Sequence, residues 1–346
     1  MIPLLRQYLR PYTAPIVLVL FLLLVQAIAN LYLPALNADI INNGVVTGDI
    51  DYIVQTGAFM LVVTFALMLA AFVAVYFSAK IAMGFGRDVR SALFRKVESF
   101  SQVELNHFGT ASLITRNTND VQQVQQVVLL ALTMMISAPI LAIGGVIMAY
   151  RQDGPLTAIL LVILPVMAVF IAVVMRRAIP LFKTMQVKID RINLVMRETL
   201  TGVRVIRAFV RTEHEEQRFD DASRDLMDVG LRVNRLFAIT MPVLMLIMNL
   251  STVAVLWLGA FRVDSGEMPI GNLTAFIQYI TQILFAIMMA VIMFVMVPRA
   301  AVSAGRIGEV LDTEPTISDP PTPISPARSG RVRFEEVEFR YPGAEE

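Results

Sequence analysis

Residues 198–209 read ETLTGVRVIRAF and lie inside a charged segment, residues 176–235, that separates two strongly apolar runs. Over residues 176–197 apolar side chains recur at helical spacing, which predicts a helix that continues out of the preceding apolar run. Extended to Gly202, this helix is about 40 Å long at 1.5 Å per residue. Gly202 is expected to break it, and a second helical run, residues 213–235, leads back. The segment therefore predicts a helical hairpin with an exposed tip.

The composition is that of a membrane protein with several spans. Of the 346 residues, 56% are hydrophobic and only 16% are charged, and the mean hydropathy is +0.67. The absence of cysteine excludes disulfides and thiolate metal sites. A net charge of +1 gives no reason to expect a nucleic-acid partner, and no cluster of residues suggests a metal site.

Six uncharged runs are each long enough to cross about 30 Å of hydrocarbon as a helix. They are residues 11–38, 52–79, 121–150, 154–175, 236–261 and 268–298. We therefore predict an all-α membrane fold with six transmembrane helices and long helical extensions outside the membrane.

The basic residues predict the orientation. All but two of the 29 Lys and Arg residues lie in the N-terminus, in segments 80–120 and 176–235, or after residue 298. Lys and Arg accumulate on the cytoplasmic side of membrane proteins. We therefore expect a multi-pass protein of the cell inner (plasma) membrane with both termini in the cytoplasm.

Segment 80–120 repeats the design of segment 176–235. It leaves the membrane as a helix, bends around His107 and Gly109, and returns through residues 112–126. Apolar side chains mark both tips. They are Leu113 and Ile114 in the first hairpin, and Val203, Val205 and Ile206 in the second. Ordinary solvated surface helices are the alternative to two docking tips.

Residues after the sixth span divide into two parts. Residues 313–329 contain five prolines, the composition of an extended linker. Alternating apolar residues over 331–341 predict the opening strands of a soluble domain. We divide the chain into a membrane domain over residues 1–313, a linker over 314–329 and the beginning of another domain over 330–346.

Three stretches carry a resemblance to the ABC exporter family, in the branch of bacterial multidrug and lipid half-transporters. They are SLITRNTNDV at 112–121, ETLTGVRVIRAF at 198–209 and VRFEEVEFRYPG at 332–343. The resemblance extends over the whole chain. It implies the type IV exporter fold, in which two six-helix halves alternate between inward-open and outward-open states as ATP binds between two α/β nucleotide-binding domains.

The resemblance also implies roles for particular residues. Tyr341 would stack on adenine, and two coupling segments would contact the nucleotide-binding domains. The coupling residues are Ser112, Leu113, Ile114, Thr115 and Arg116 in the first segment, and Gly202, Val203, Arg204, Val205 and Ile206 in the second. The cofactors would be ATP and Mg²⁺ in the complete assembly, with neither bound by this chain alone.

The implied partner is a second half-transporter. Many relatives have a glycine where this chain has Ala111. Together with the sequence SLITR at residues 112–116, this difference favours a heterodimer. A homodimer is the alternative.

Catalytic residues for ATP hydrolysis are missing from these 346 residues. Phosphate binding needs a G-x-x-x-x-G-K-[ST] loop, but none of the four lysines follows a glycine. A Walker B acidic residue and a signature loop are also missing. We expect the chain alone to be inactive and to be a piece of a longer protein.

Polar residues within apolar spans predict a substrate cavity, because they usually face other helices or a water-filled space. The polar candidates are Gln26, Asn30, Asn249, Gln278 and Gln282, and the adaptable apolar residues near them are Phe276, Tyr279, Phe285, Met288, Met289 and Met293. Hydrogen bonding between helices and ordinary packing are the alternative. As a set, they predict that the first and sixth spans line a site for hydrophobic or amphipathic molecules.

Three functions remain open from the sequence. The first is an ATP-driven exporter of drugs or lipids, and the second is an importer or lipid flippase with the same fold. The third is a membrane scaffold without nucleotide chemistry, whose hairpins bind a cytoplasmic protein.

Overall fold

The computed structural model describes residues 1–317, 322, 330 and 333–339, without the side chains of residues 135, 291, 292, 294 and 295. Within this part of the chain the structure is helical and contains no strand. The helices are α1 (Ile2–Leu9), α2 (Thr13–Asp39), α3 (Ile50–Glu98), α4 (Gln102–Phe108), α5 (Thr110–Thr115), α6 (Val121–Leu130), α7 (Ser137–Gln152), α8 (Gly154–Thr157), α9 (Leu160–Ala208), α10 (Thr212–Asp264) and α11 (Ile270–Asp312). A 3-10 turn (Arg10–Tyr12) and π-helical turns (Ile40–Val45, Arg116–Asp120 and Ala131–Met135) connect or extend them.

Six helical stretches of the described residues are long and apolar enough to cross a membrane, which confirms the predicted spans. They are Ile2–Val45, Ile50–Glu98, Thr110–Gln152, Gly154–Ala208, Thr212–Asp264 and Ile270–Ala290. Helices α9 and α10 contain 49 and 53 residues, so each is about 75–80 Å long. Since the hydrocarbon layer is only about 30 Å thick, both helices extend far beyond it.

The two ends of the molecule differ in their connections. One end, here called the charged end, carries α1, α4, α5, the turn between α9 and α10 and the end of α11. At the opposite end, here called the short-loop end, only a few residues connect one helix to the next. Asp49 accepts a hydrogen bond from the backbone N of Tyr52, and Asp153 accepts one from Leu156. Both carboxylates cap the following helix.

Helices α2, α3, α6, α7 and α11 form a bundle in which α11 packs against α7, α2 and α6. Its core at the charged end includes Val19, Phe85, Val124 and Ile307, together with Leu4 of α1. A second core lies toward the short-loop end and adds α8, α9 and α10 to the bundle. The bundle is therefore one body whose α11 runs through both cores.

Helices α9 and α10 pack along one another and form the hairpin predicted from residues 176–235. Beyond the shared core, contacts within the hairpin hold it together. The Lys188 ammonium donates a 2.6 Å hydrogen bond to Asp225 and lowers the pKa of that carboxyl, and Arg218 pairs with Glu198 at 2.7 Å. The hairpin is thus cross-linked by charges where its two helices leave the apolar region.

The predicted helix break at Gly202 is wrong. Helix α9 runs through Gly202 and ends at Ala208. Gly202 is not among the glycines with positive φ, and a Cβ added there would meet only the Cδ1 atom of Ile206, at 3.8 Å, so an ordinary helical residue would fit. The reversal occurs instead at Val210, whose φ is 53°.

The predicted opening strands are absent from residues 333–339. Phe334 and Val337 are 79% and 63% exposed there. A strand needs a neighbouring strand to satisfy its backbone groups, and the described residues supply none. The rest of the strand prediction and most of the predicted linker lie outside the described residues.

Candidate functional site

The first predicted coupling segment is a short helix fixed to the charged end of the bundle. Gly109 has a φ of 74°, a value that favours glycine, and it reverses the chain between α4 and α5. Leu113 is 8% exposed and packs in the bundle core, whereas Ile114 is 59% exposed. Ser112 is half-buried and Thr115 is exposed. Helix α5 is therefore anchored by Leu113 and presents Ile114 and Thr115 outward.

Arg116, the last residue of that segment, faces the bundle. Its Nη1 donates to the carbonyl oxygen of Arg306 at 2.8 Å and pairs with a carboxylate oxygen of Glu309 at 2.7 Å. Its guanidinium carbon lies 4.8 Å from the centre of the Phe108 ring, within the range of a cation–π interaction. The side chain is only 12% exposed. Arg116 therefore ties α5 to α11.

A buried carboxylate adds a second connection between α5 and α11. Asp120 is 1% exposed, and its Oδ1 accepts hydrogen bonds from Ser303 Oγ at 2.8 Å and Arg306 Nη2 at 3.0 Å. Sequence reasoning missed Ser303, Arg306 and Glu309. The available signal was the helical spacing of Ala300, Ser303 and Ile307, all of which are buried.

The second predicted coupling segment lies at the turn of the hairpin. Val203 and Val205 are 39% and 60% exposed, Arg204 is also exposed, and Gly202 and Ile206 are half-buried. The strongest apolar exposure comes just after these residues. Phe209 and Val210, which were not among the predicted coupling residues, are 73% and 86% exposed. The hairpin turn, residues 202–210, thus presents an apolar surface at the end of a long helix.

The candidate cavity residues of α11 share one face of the helix. Gln278, Gln282, Phe285 and Met289 are separated by four, three and four residues, which places them in a row. Gln278 and Phe285 are exposed, and the other two are half-buried. Gln282 Nε2 donates to the carbonyl oxygen of Asn30 on α2 at 3.2 Å. The sixth span therefore meets the first span at this row.

The other two polar candidates differ in position. Gln26 lies one helical turn from Asn30 on α2, and both are half-buried. Asn249 is exposed on α10. No hydrogen bond among the described residues joins Asn249 to Asn30 or Gln282. The structure thus brings the candidates of the first and sixth spans together and leaves Asn249 apart.

Two aromatic residues expected near the cavity are packing residues instead. Phe276 and Tyr279 are fully buried in the core toward the short-loop end. The Tyr279 hydroxyl donates to the carbonyl oxygen of Leu31 at 2.8 Å. Their expected role as cavity lining is therefore wrong, because their face of α11 packs against α2 and α7 rather than an open space.

An apolar cavity of about 480 Å³ lies beside Met289, between α7 and α11 and next to the π-helical turn Ala131–Met135. It is lined by Met134, Ala138, Pro139, Ala142, Ala286, Ile287, Met289, Ala290, Met293, Val297 and Pro298. Cavities of this size and polarity accept small apolar ligands.

Polar contacts close the short-loop end between α2 and α11. Asn42 Nδ2 donates to Asn272 Oδ1 at 2.9 Å, and Asn42 Oδ1 accepts from the backbone N of Gly271 at 2.8 Å. A Cβ on Gly271 would lie 2.3 Å from the carbonyl oxygen of Ala38. Glycine therefore permits this close approach of the two helices.

Tyr341, the predicted adenine-stacking residue, lies outside the described residues.

Residues 16–288 match the family model described as the ABC transporter transmembrane region. An uncharacterized ABC transporter ATP-binding protein of Mycobacterium tuberculosis is 43% identical over 347 residues, which cover 100% of this chain and 60% of that protein. An uncharacterized ABC transporter ATP-binding protein of Bacillus subtilis is 36% identical over 335 residues, covering 97% and 58%. A fatty acid ABC transporter ATP-binding/permease protein of Mycobacterium bovis is 30% identical over 229 residues, covering 66% and 36%. The chain spans about three fifths of the length of the first two relatives.

Replacing Arg116→Lys tests the attachment of α5 to α11. Lysine keeps the charge but lacks the planar, forked guanidinium, so it cannot bond to Arg306 and Glu309 and stack on Phe108 at once. We expect the backbone amides of residues 112–115 to exchange about tenfold faster in hydrogen–deuterium exchange mass spectrometry.

The matched control is Arg204→Lys, at an exposed arginine of the hairpin turn. This variant should leave exchange in α5 unchanged. Equal exchange in wild type and in Arg116→Lys would contradict the assignment.

Proposed function

Because this chain belongs to the ABC transporter transmembrane family, we propose that it forms one transmembrane half of an ATP-driven exporter of hydrophobic or amphipathic molecules. ATP and Mg²⁺ are assigned to the nucleotide-binding domains of the complete transporter. There they supply the free energy of ATP binding and hydrolysis, with Tyr341 proposed to stack on adenine. The described residues receive the resulting motion and move the substrate.

The observation that carries the proposal is the exposed apolar hairpin turn at the end of a 49-residue helix. Exposed apolar residues far from the membrane-spanning part are suited to docking on another protein. The ion pairs Lys188–Asp225 and Arg218–Glu198 hold the two helices together behind this turn. A displacement of the turn therefore moves the whole hairpin.

The second docking surface is Ile114 and Thr115 of α5. Arg116 and Asp120 connect this surface to α11 through Glu309, Ser303 and Arg306. Helix α11 also carries the row from Gln278 to Met289. A push on α5 thus reaches the candidate substrate site through one continuous helix.

Alternating access requires the short-loop end to open. The contacts of Asn42 with Gly271 and Asn272 join α2 to α11 there. Hydrogen bonds of this kind contribute about 0.5–1.5 kcal/mol each, which is small compared with the free energy of ATP hydrolysis. We propose that they close the outward side at rest and break when α2 and α11 separate.

The proposed substrate class is supported by the row from Gln278 to Met289. Phe285 is 48% exposed, and Gln278 is exposed on the same row. The adjoining cavity is apolar. An aromatic ring, amide groups and an apolar cavity suit a molecule with a long apolar part and a small polar group. The M. bovis relative named for fatty acids points to the same class.

We propose that the chain lies in the cell inner (plasma) membrane with its charged end facing the cytoplasm, because this end carries nearly all the Lys and Arg residues.

The proposed partner is a second half-transporter. Leu194, Leu200 and Leu231 of the hairpin are 51%, 69% and 44% exposed beyond the apolar runs, and a second half would cover such residues. Ala111 and the sequence SLITR at residues 112–116 favour a heterodimer.

Native mass spectrometry of the purified complete transporter should show two different subunits. A stable, ATP-hydrolysing pair of identical subunits would contradict the heterodimer.

A charge at the hairpin turn tests the docking surface. In the complete transporter, Val205→Asp should lower ATP-driven substrate transport at least tenfold, because a desolvated, unpaired carboxylate opposes docking. The matched control is Val187→Asp on the same helix, since Val187 is 63% exposed and Val205 is 60% exposed. Transport assays in proteoliposomes should show a much smaller loss for the control. Equal losses would contradict docking at the turn.

Transport direction and the substrate site are tested together in inside-out membrane vesicles. Adding ATP should drive a fluorescent fatty-acid analogue into the vesicle lumen, whereas ATP-driven loss from the lumen would indicate import.

In the same vesicles, Phe285→Ala should raise the KM for transport of the analogue about tenfold, because it removes an exposed aromatic contact. The control Phe72→Ala removes a ring that is 73% exposed on α3 and should leave KM unchanged.

A further inference from the structure

The chain that leaves α11 is attached to α4 through the carboxylate of Glu104. After Asp312 the backbone becomes extended at Thr313. Oε1 of Glu104 accepts two hydrogen bonds from Thr316, one from its backbone N at 3.1 Å and one from its hydroxyl at 2.8 Å. The Thr316 hydroxyl also lies 3.0 Å from Ser101 Oγ.

The other oxygen of Glu104 has a separate task. Oε2 accepts from the backbone N of Ser101 at 2.7 Å, and the Ser101 hydroxyl in turn caps the first turn of α4. This reciprocal pair is a capping box, which needs only one carboxylate oxygen. The oxygen that faces Thr316 is not required by the cap. The capping box therefore accounts for one of the three hydrogen bonds that Glu104 accepts, and the two from Thr316 need another explanation.

Glu104 is buried and charged at neutral pH. It is 5% exposed, and hydrogen bonds from Ser101 and Thr316 lower its pKa to about 2. Burying a carboxylate is unfavourable unless its oxygens are hydrogen-bonded. If Thr316 moved away, Oε1 of the Glu104 carboxylate would lose both of its donors. The contact therefore favours the arrangement in which Thr316 stays bound to Glu104.

Helix α4 is in turn fixed to the first docking surface. The rings of Phe100 and Phe108 stack with their centres 5.8 Å apart and frame α4 at its two ends. Phe108 then contacts the guanidinium of Arg116, which holds α5. Thr316, α4 and α5 therefore belong to one unit.

We propose that Glu104 is a positioning residue that fastens the chain beyond α11 to the α4–α5 unit throughout the transport cycle. This inference rests on the proposed function, in which an ATP-hydrolysing domain follows the linker. Motion of that domain then reaches α5 by a route through the chain itself, in parallel with docking on Ile114 and Thr115. The contact between Glu104 and Thr316 is the point where this route joins the bundle.

The first test is Thr316→Val in the complete transporter, reconstituted in proteoliposomes. The variant removes the hydroxyl donor but leaves the capping box of α4 intact. The matched control is Thr313→Val, because within the part of the chain that the structure describes the Thr313 hydroxyl bonds to its own helix end, to the carbonyl oxygen of Glu309 at 2.6 Å. We expect Thr316→Val to reduce substrate moved per ATP hydrolysed about 3–10-fold, with basal ATP hydrolysis changed less than about twofold. The control should match wild type.

The second test uses the absence of cysteine from these 346 residues, in a complete transporter whose cysteines elsewhere are replaced by serine. Ser101→Cys combined with Thr316→Cys places two thiols where the hydroxyl oxygens are 3.0 Å apart, and mild oxidation should join them. Because the disulfide replaces the lost hydroxyl contact, the oxidised protein should transport at least as well as the same protein after reduction. Each single variant, treated with the same oxidant, controls for loss of the cap.

Three results would overturn the inference. They are an unchanged transport-to-ATP ratio in Thr316→Val, failure of the two cysteines to cross-link, and loss of transport on oxidation that reduction restores. In each case a wild-type transporter that hydrolyses ATP and transports substrate leaves the proposed function standing. A complete wild-type transporter that does neither removes both proposals.

Discussion

The structure depends on one constraint: backbone N–H and C=O groups in hydrocarbon must be satisfied within the protein. A continuous helix meets this requirement residue by residue, and nothing in it forces the helix to stop where the lipid ends. In α9 and α10 charged side chains simply replace apolar ones at successive turns, and the same rod continues into water. The geometry that solves a problem inside the membrane therefore also provides long, stiff connections outside it.

The molecule then divides according to what the helices pack against. The hairpin joins the bundle through the core toward the short-loop end and is held by its own ion pairs elsewhere. Helix α11 instead belongs to both cores of the bundle and bonds with residues that follow α5. A displacement of α11 at one end of the bundle is thus mechanically linked to the position of α11 at the other end.

Much of the fold could be predicted because charge is so unfavourable in hydrocarbon. Its absence over six runs located the spans, and its return located the hairpin. The break at Gly202 was wrong because glycine within a long helix costs only about 1 kcal/mol, which neighbouring turns outweigh. Helical spacing identified the row from Gln278 to Met289. It could not say that Phe276 and Tyr279, on an adjoining face, would be buried against α2 and α7, because spacing carries no information about neighbours. The same limit hid Ser303 and Arg306, which bond to Asp120 across nearly two hundred residues of sequence.

The π-helical turn at Ala131–Met135 divides the third span into α6 and α7. Such a turn holds an extra residue and widens the helix locally, so the side-chain register of α7 is rotated relative to that of α6. The span consequently consists of two helical pieces whose side-chain registers differ. Met134 and Ala138 therefore line the cavity beside α11, while Val124, Val127 and Val128 of α6 pack in the core at the charged end.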